Sequence, residues 1–301
     1  MQGWHQAHLL STSGWQLDTV GPLLDLAAVY KRHIQEERDV QTKRRLSCVT
    51  LFYEPSTRTR LSFESAAHRL GMDVLAVANA GASSSAKKGE TLEDTGRVLS
   101  AYADVIIVRH PEEGAARRLS STASVPVINA GDGVGEHPTQ ALLDLFTIRE
   151  AFGHFKGLHV GLCGDLMHGR TIHSLLHLLV AFGCRVTAIS PPELRLPREW
   201  LPASPVGVGT VHEASDLKTV LPDLDVLYMT RIQAERFEDP AVYQRVRSIY
   251  QLERSCLALA ADHLRILHPL PRVDEIASDV DDDPRAQAAH DLPIARVVQG
   301  Q

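Results

Sequence analysis

Cysteine is sparse: the four present, Cys48, Cys163, Cys184 and Cys256, lie far apart with no C-x-x-C pair. That spacing argues against a zinc ribbon and suits buried, reduced thiols better than a disulfide framework. An excess of one charge is also missing. The chain carries 31 basic and 37 acidic residues, net −6, without long blocks of one sign, so no basic stripe is available to follow a nucleic-acid backbone. Long apolar runs are absent too. The longest helical pattern free of Asp, Glu, Lys and Arg, Thr171–Cys184, contains His173 and His177 and falls short of the ~18–20 residues of a membrane span. The opening MQGWHQAHLLSTSGW has neither a basic nor an apolar leader region, so a cytoplasmic location is expected. The 15 histidines form no H-E-x-x-H or comparable cluster, and no metal is expected. Glycine-rich nucleotide loops fail on spacing: G131-D-G-V-G-E136 has glutamate where the third glycine belongs, and G81-A-S-S-S-A-K87 is not a P-loop.

What is present is an ordinary globular composition, 44% hydrophobic and 23% charged over 301 residues, about two domains' worth at roughly 150 residues each. Short β-branched runs at 47–53, 73–77, 105–109, 125–129, 159–163, 185–190, 226–230 and 265–268 alternate with helical patterns at 22–38, 60–70, 91–102, 138–152 and 170–182. Alternation of this kind predicts βαβ units and parallel sheets. The pattern gives two doubly wound α/β domains, 1–152 and 153–301, with the active site expected in the cleft between them. Ligands of open parallel sheets sit beyond the carboxyl ends of the strands, so the residues just after each run are the candidates.

Glu54-Pro-Ser56-Thr57-Arg58-Thr59-Arg60 lies between a strand and a helix, where unpaired backbone N–H groups and the positive dipole end favour an anion. Two arginines in that first turn, with no acid before Glu64, are unfavourably placed unless an anion sits there. The segment is also compatible with a Ser/Thr cap and solvated arginines. Arg109 follows the run V-I-I-V and would bring a third guanidinium to the same edge. Ser84 and Lys88, in a loop of Ser and Lys, fit either a phosphate-contacting flap or plain surface. His137-Pro-Thr-Gln140 follows three glycines and opens a helix with Pro138. His137 and Gln140 can face a small carbonyl, the imidazole donating to an oxygen that gains charge; a helix-capping histidine is the alternative.

In the second half, Arg170 follows the fifth run and Arg231 with Gln233 follows the seventh. Two arginines at neighbouring strand ends can clamp two carboxylates, or they are two solvated arginines. In His268-Pro-Leu270-Pro271-Arg272 the prolines stiffen a loop whose carbonyls can meet a substrate amine, or make a rigid exit from the sheet.

Taken together, S-T-R-T-R, R-H-P, H-P-T-Q, H-G-R-T-x-H-S, M-T-R-I-Q-x-E-R and H-P-L-P-R resemble the carbamoyltransferase family, from about residue 8 to about 286. Leu270 between two prolines and Arg231 favour the aspartate branch, since the ornithine branch usually has H-C-L-P and lacks that arginine. The stretch G-D-G-V-G-E-H-P-T-Q-A-L-L-D also looks like the corresponding domain of multifunctional pyrimidine-synthesis proteins, so a stand-alone chain and part of a larger protein both stay open.

The resemblance implies transfer of a carbamoyl group from carbamoyl phosphate to L-aspartate, in de novo pyrimidine synthesis and without a cofactor. It assigns Ser56, Thr57, Arg58, Thr59 and Arg109 to the phosphate, and His137, Gln140 and Leu270 to the carbamoyl group. Arg170, Arg231 and Gln233, with Leu270 and Pro271, fall to aspartate. Ser84 and Lys88 would reach in from a neighbouring subunit of a homotrimer. A regulatory or pathway-enzyme partner, a weakly active assembly role and an ornithine-type specificity remain compatible. Family members usually continue past D-P-R-A with a long apolar helix that packs on the first domain. Here 17 residues with Pro293 among them follow Pro284, so that helix is expected to be missing and apolar surface to be uncovered.

Overall fold

The computed structural model describes residues 8–38, 40–42, 44–82, 88–201, 209–237 and 239–286. They divide into two compact units, 8–13 with 17–146 and 14–16 with 147–286. The division falls inside helix Pro138–Phe152, ahead of the boundary expected at 152. The expected absence of a C-terminal helix concerns residues 287–301, which lie outside the described residues, as does Ser84.

The first unit holds a four-stranded parallel sheet in the order β2-β1-β3-β4, with β1 Ser47–Phe52, β2 Asp73–Val77, β3 Val105–His110 and β4 Val127–Asp132. β1 and β3 are nearly continuous apolar runs and are buried almost throughout, as strands covered on both faces must be. Helices α1 Leu17–Gln35, α2 Thr57–Arg69, α3 Leu92–Leu99 and α4 Ala115–Ser120 accompany them, and α5 is Pro138–Phe152. The core joins Val49, Leu51, Ile106 and Val108 of the sheet to Leu92, Ala116 and Leu119 of the helices.

The second unit holds a five-stranded parallel sheet, β7-β6-β5-β8-β9, with β5 His159–Cys163, β6 Arg185–Ile189, β7 Thr210–Ala214, β8 Val226–Met229 and β9 Arg265–Leu267. Helix α6 Arg170–Ala181 buries nearly its whole length. All four cysteines are buried free thiols, and burial pushes those of Cys48 and Cys184 up to about 12.

Several of the described elements differ from the sequence reading, among them the following. β7 was not expected, because T-V-H-E-A lacks an apolar run; it is an edge strand with a largely exposed pattern, so burial never selected for one. α4 follows the polar P-E-E-G turn and has only six residues, too few for a helical period to register. α1 begins at Leu17, ahead of Pro22, which lies inside the helix and does not open it.

Both sheets reverse direction in strand order, the first between β1 and β3, the second between β5 and β8. Those are the switch points at which an open α/β sheet leaves room for a ligand.

Candidate functional site

In the first unit, the switch point is flanked by the turn after β1 and by the end of β3. Ser56 occupies the cap position of α2 in extended conformation, and its hydroxyl makes no cap hydrogen bond. Thr57 and Arg58 are exposed and Thr59 is buried. Arg109 pairs with Phe52 across the sheet and is 7% exposed. Its guanidinium donates to the Ala130 carbonyl at 3.2 Å and meets Glu54 at 3.5 Å.

Arg60 is paired with Glu64 one turn later at 3.5 Å, and Glu64 also accepts from the Thr50 hydroxyl at 3.0 Å. Acids therefore balance Arg60 and Arg109 within the fold, and three converging arginines do not by themselves require an anion. What remains is a helix start at a switch point, with Arg58 on its exposed first turn. Beside it, His110 lies edge-on to the Tyr53 ring, 4.6 Å between centroids. Burial lowers its pKa from the usual histidine value.

The glycine turn after β4 carries His137. Asp132 organises it: its carboxylate accepts from the Gly114 N–H at 3.0 Å, from Asn129 Nδ2 at 3.1 Å and from the Glu136 N–H at 3.0 Å. At Gly133, with φ +52°, a Cβ would come within 2.8 Å of the Pro111 carbonyl oxygen, so the turn closes on the chain after β3 only with glycine there. His137 is buried, with Thr139 Oγ1 at 3.4 Å from its Nδ1. Gln140 donates its side-chain amide to Asp144 at 2.9 Å, which fixes the orientation of that amide. Lys88 is exposed.

In the second unit, the chain leaves β5 through Gly164, φ +121°, and a Cβ there would lie 2.3 Å from the Thr230 carbonyl oxygen. This close approach brings the turn after β5 against the end of β8. The fully buried Asp165 joins them: its carboxylate accepts from the His168 N–H at 3.0 Å and lies 3.1 Å from His168 Nδ1, with a longer bond, 3.5 Å, from the Gln233 N–H. Gln233 Nε2 donates to the His168 carbonyl at 3.2 Å. Arg170 at the start of α6 and Arg231 after β8 are both partly exposed and so flank one switch point.

The loop after β9 is fixed by a buried pair. His268 Nε2 lies 2.8 Å from Glu275, and its Nδ1 accepts from the Leu270 N–H at 2.8 Å. That leaves the proton on Nε2, which donates to Glu275. Glu275 also accepts from the N–H groups of Val273 and Asp274, each at 3.1 Å. Burial pushes its carboxyl up, but the bond from His268 and the backbone donors outweigh this, and its pKa ends below the usual range. Leu270 adopts φ +55° and its peptide bond to Pro271 is cis. Arg272 makes a two-pronged contact with Asp281.

Sequence reasoning passed over Asp132, Asp165 and Glu275, which hold the candidates without being candidates themselves. A signal existed for two of them: an acid directly after a strand-ending glycine, in A-G-D and C-G-D. Among the described residues no group of His, Cys, Asp and Glu could hold a metal ion, and no helix is long and apolar enough to cross a membrane.

Comparison with known proteins gives matches along nearly the whole chain. The family described as aspartate/ornithine carbamoyltransferase, carbamoyl-P binding domain, matches residues 7–150. Its companion, the Asp/Orn binding domain, matches residues 156–292. An aspartate carbamoyltransferase catalytic subunit of Thermococcus onnurineus is 46% identical over 301 residues, covering 99% of this chain and 97% of the relative. That of Methanopyrus kandleri is 54% identical over 239 residues, 79% of this chain and 77% of the relative. The crystal structure of aspartate transcarbamoylase from Trypanosoma cruzi with carbamoyl phosphate and aspartate superposes with a TM-score of 0.86 at 35% identity, covering 97% of this chain and 95% of that one.

Proposed function

The chain belongs to the aspartate/ornithine carbamoyltransferase family, and from that premise we propose that it transfers the carbamoyl group of carbamoyl phosphate to the α-amine of L-aspartate. The products are N-carbamoyl-L-aspartate and phosphate. The observation that carries this reading is 46% identity, over 97% of its length, to a relative named for that activity.

In this reading Ser56, Thr57, Arg58, Thr59 and Arg109 bind the phosphate, supported by the exposed helix start at a switch point. His137, Gln140 and Leu270 bind the carbamoyl group. Arg170, Arg231 and Gln233 bind aspartate, with Leu270, Pro271 and a neighbouring subunit's Lys88 beside it; the Asp165 network, which ties the turn ahead of Arg170 to the segment carrying Arg231 and Gln233, supports the role of those three. The neutral amine attacks the carbamoyl carbon, a C–N bond forms, and the carbonyl π pair moves onto oxygen. Arg58, Thr59 and His137 meet that oxyanion. Collapse breaks the C–O bond to phosphate, and the departing phosphate takes the proton released by the amine. Positioning two anions is the main task, so cations and fixed hydrogen-bond donors suffice without a cofactor.

The same reading makes the working form a homotrimer in the cytoplasm, with Ser84 and Lys88 serving a neighbouring subunit's site, and places the reaction in pyrimidine synthesis. The relatives are named catalytic subunits, which supports a regulatory or pathway-enzyme partner.

Product analysis tests the proposal. The purified chain, given carbamoyl phosphate with either aspartate or ornithine, is expected to form carbamoyl-aspartate alone. Citrulline would remove the specificity argument built on Arg231 and Leu270, and no product from either amino acid would favour a weak or inactive assembly partner.

A further inference from the structure

The segment 8–13 extends the first sheet beyond β4. Leu9 bridges in parallel to Ile128: its N–H donates to the Val127 carbonyl and its own carbonyl accepts from the Asn129 N–H, both at 2.8 Å. The Val127 N–H donates to His8 Nδ1 at 3.1 Å, and Asn129 Nδ2 to the Leu10 carbonyl at 3.0 Å. Past Leu10 the segment grips Glu136. One carboxylate oxygen accepts from the Ser11 hydroxyl. The other accepts from the Thr12 N–H at 2.8 Å and the Thr12 hydroxyl at 3.0 Å. Thr12 is fully buried.

Glu136 is thus pinned from both sides. Its backbone N–H donates to Asp132 Oδ1 at 3.0 Å and its carbonyl accepts from the Asp132 N–H at 3.3 Å. Its side chain is held by three donors from a segment more than a hundred residues away in sequence. A carboxylate that accepts several short hydrogen bonds has little orientational freedom left. The next residue is His137, whose carbonyl accepts from the N–H groups of Gln140 and Ala141 as α5 begins. Gly131, Gly133 and Gly135 give the turn ample backbone freedom of its own, so the start of α5 anchors His137 on one side and Glu136 anchors it on the other.

We infer that Glu136 is a positioning residue for carbamoyl transfer and that Ser11 and Thr12 form the strap that holds it. Residues 8–13 are then part of the catalytic architecture, acting through Glu136. The inference rests on the reading of His137 as the donor to the carbamoyl oxygen. A displaced donor weakens the transition state more than the bound ground state, so the effect falls on kcat.

The test compares Glu136→Ala, Glu136→Gln, Thr12→Val and the Thr12→Val/Glu136→Ala pair with the unsubstituted chain, measuring kcat, KM for carbamoyl phosphate and thermal unfolding. Glu136→Ala is expected to lower kcat by about 10- to 100-fold, the scale of a small misplacement at a reacting centre, with KM little changed. Glu136→Gln keeps one acceptor oxygen and should recover most of the loss. Thr12→Val should lower kcat alone but add nothing on the Glu136→Ala background, as coupled residues do. A lower melting temperature with unchanged kcat, or additive losses in the pair, overturns the inference while leaving the family reading intact. No turnover in the unsubstituted chain overturns both. If Glu136→Ala does not fold, Glu136→Gln and Thr12→Val decide by the same kcat criterion.

Discussion

The side-chain amide of Asn129 donates to the carboxylate of Asp132, three residues on, at 3.1 Å, while its carbonyl oxygen accepts from the Gly131 N–H at 2.8 Å. One amide thus serves both ends of the bend leaving β4, and Asp132 carries the constraint onward to Gly114 and Glu136. Asp132→Asn leaves a single acceptor oxygen for donors that now use two, and turns an NH₂ group toward at least one of them. A buried donor left unsatisfied costs about 1–3 kcal/mol. Urea unfolding should show a loss of that size, and an unchanged midpoint would mean the turn is held without the carboxylate.

Arg58 is exposed on the first turn of α2, so its removal leaves no buried hole. Arg58→Ala should reduce kcat by roughly 10² or more, as for loss of one oxyanion donor, with unchanged circular dichroism and melting temperature. Turnover equal to that of the parent would identify Arg58 as ordinary surface.

Gly164→Ala puts a methyl group 2.3 Å from the Thr230 carbonyl oxygen and 2.7 Å from its hydroxyl, at φ +121°. The backbone must move, and the Asp165 contacts to His168 and Gln233 move with it. We expect destabilisation of about 2 kcal/mol or more, at the upper end of ordinary point substitutions, and a raised KM for aspartate in whatever fraction folds. A KM matching the parent's would separate Gly164 from the aspartate side.

Acid stability should depend on Asp283. Arg285 grips its carboxylate with Nε and Nη2, each at 2.8 Å, and those bonds hold its pKa at about 2, against 3.8 ordinarily. A depressed folded-state pKa means the unfolded chain binds the proton more readily. The stabilisation is therefore present above pH ~4 and lost as pH falls toward 2. Asp283→Asn should melt below the parent at pH 7, with the gap closing between pH 4 and pH 2. An equal gap at pH 7 and pH 2.5 would show that charge is not what Asp283 contributes.

By itself the sequence determined the parallel α/β class, most of the strands and the family. β1, β3, β5 and β8 are short apolar runs needing cover on both faces, and that is a local property visible in V-I-I-V or V-L-Y-M. The candidate arginines and His137 could be named because residues following such runs sit at the ligand edge of a sheet. Exposed β7 and the six-residue α4 stayed hidden because neither carries a burial period.

Only the tertiary structure decided what surrounds each candidate. Strand order set which ends are neighbours, so that Phe52 lies beside Arg109 and Cys163 beside Met229. The pairing of Arg60 with Glu64 and of Arg109 with Glu54 removed an electrostatic argument that looked sound along the chain. Ser11, Thr12 and Glu136 came together only because the first segment lies along β4. Their hydrogen bonds depend on distance in space, and nothing in the local sequence of either partner encodes the other.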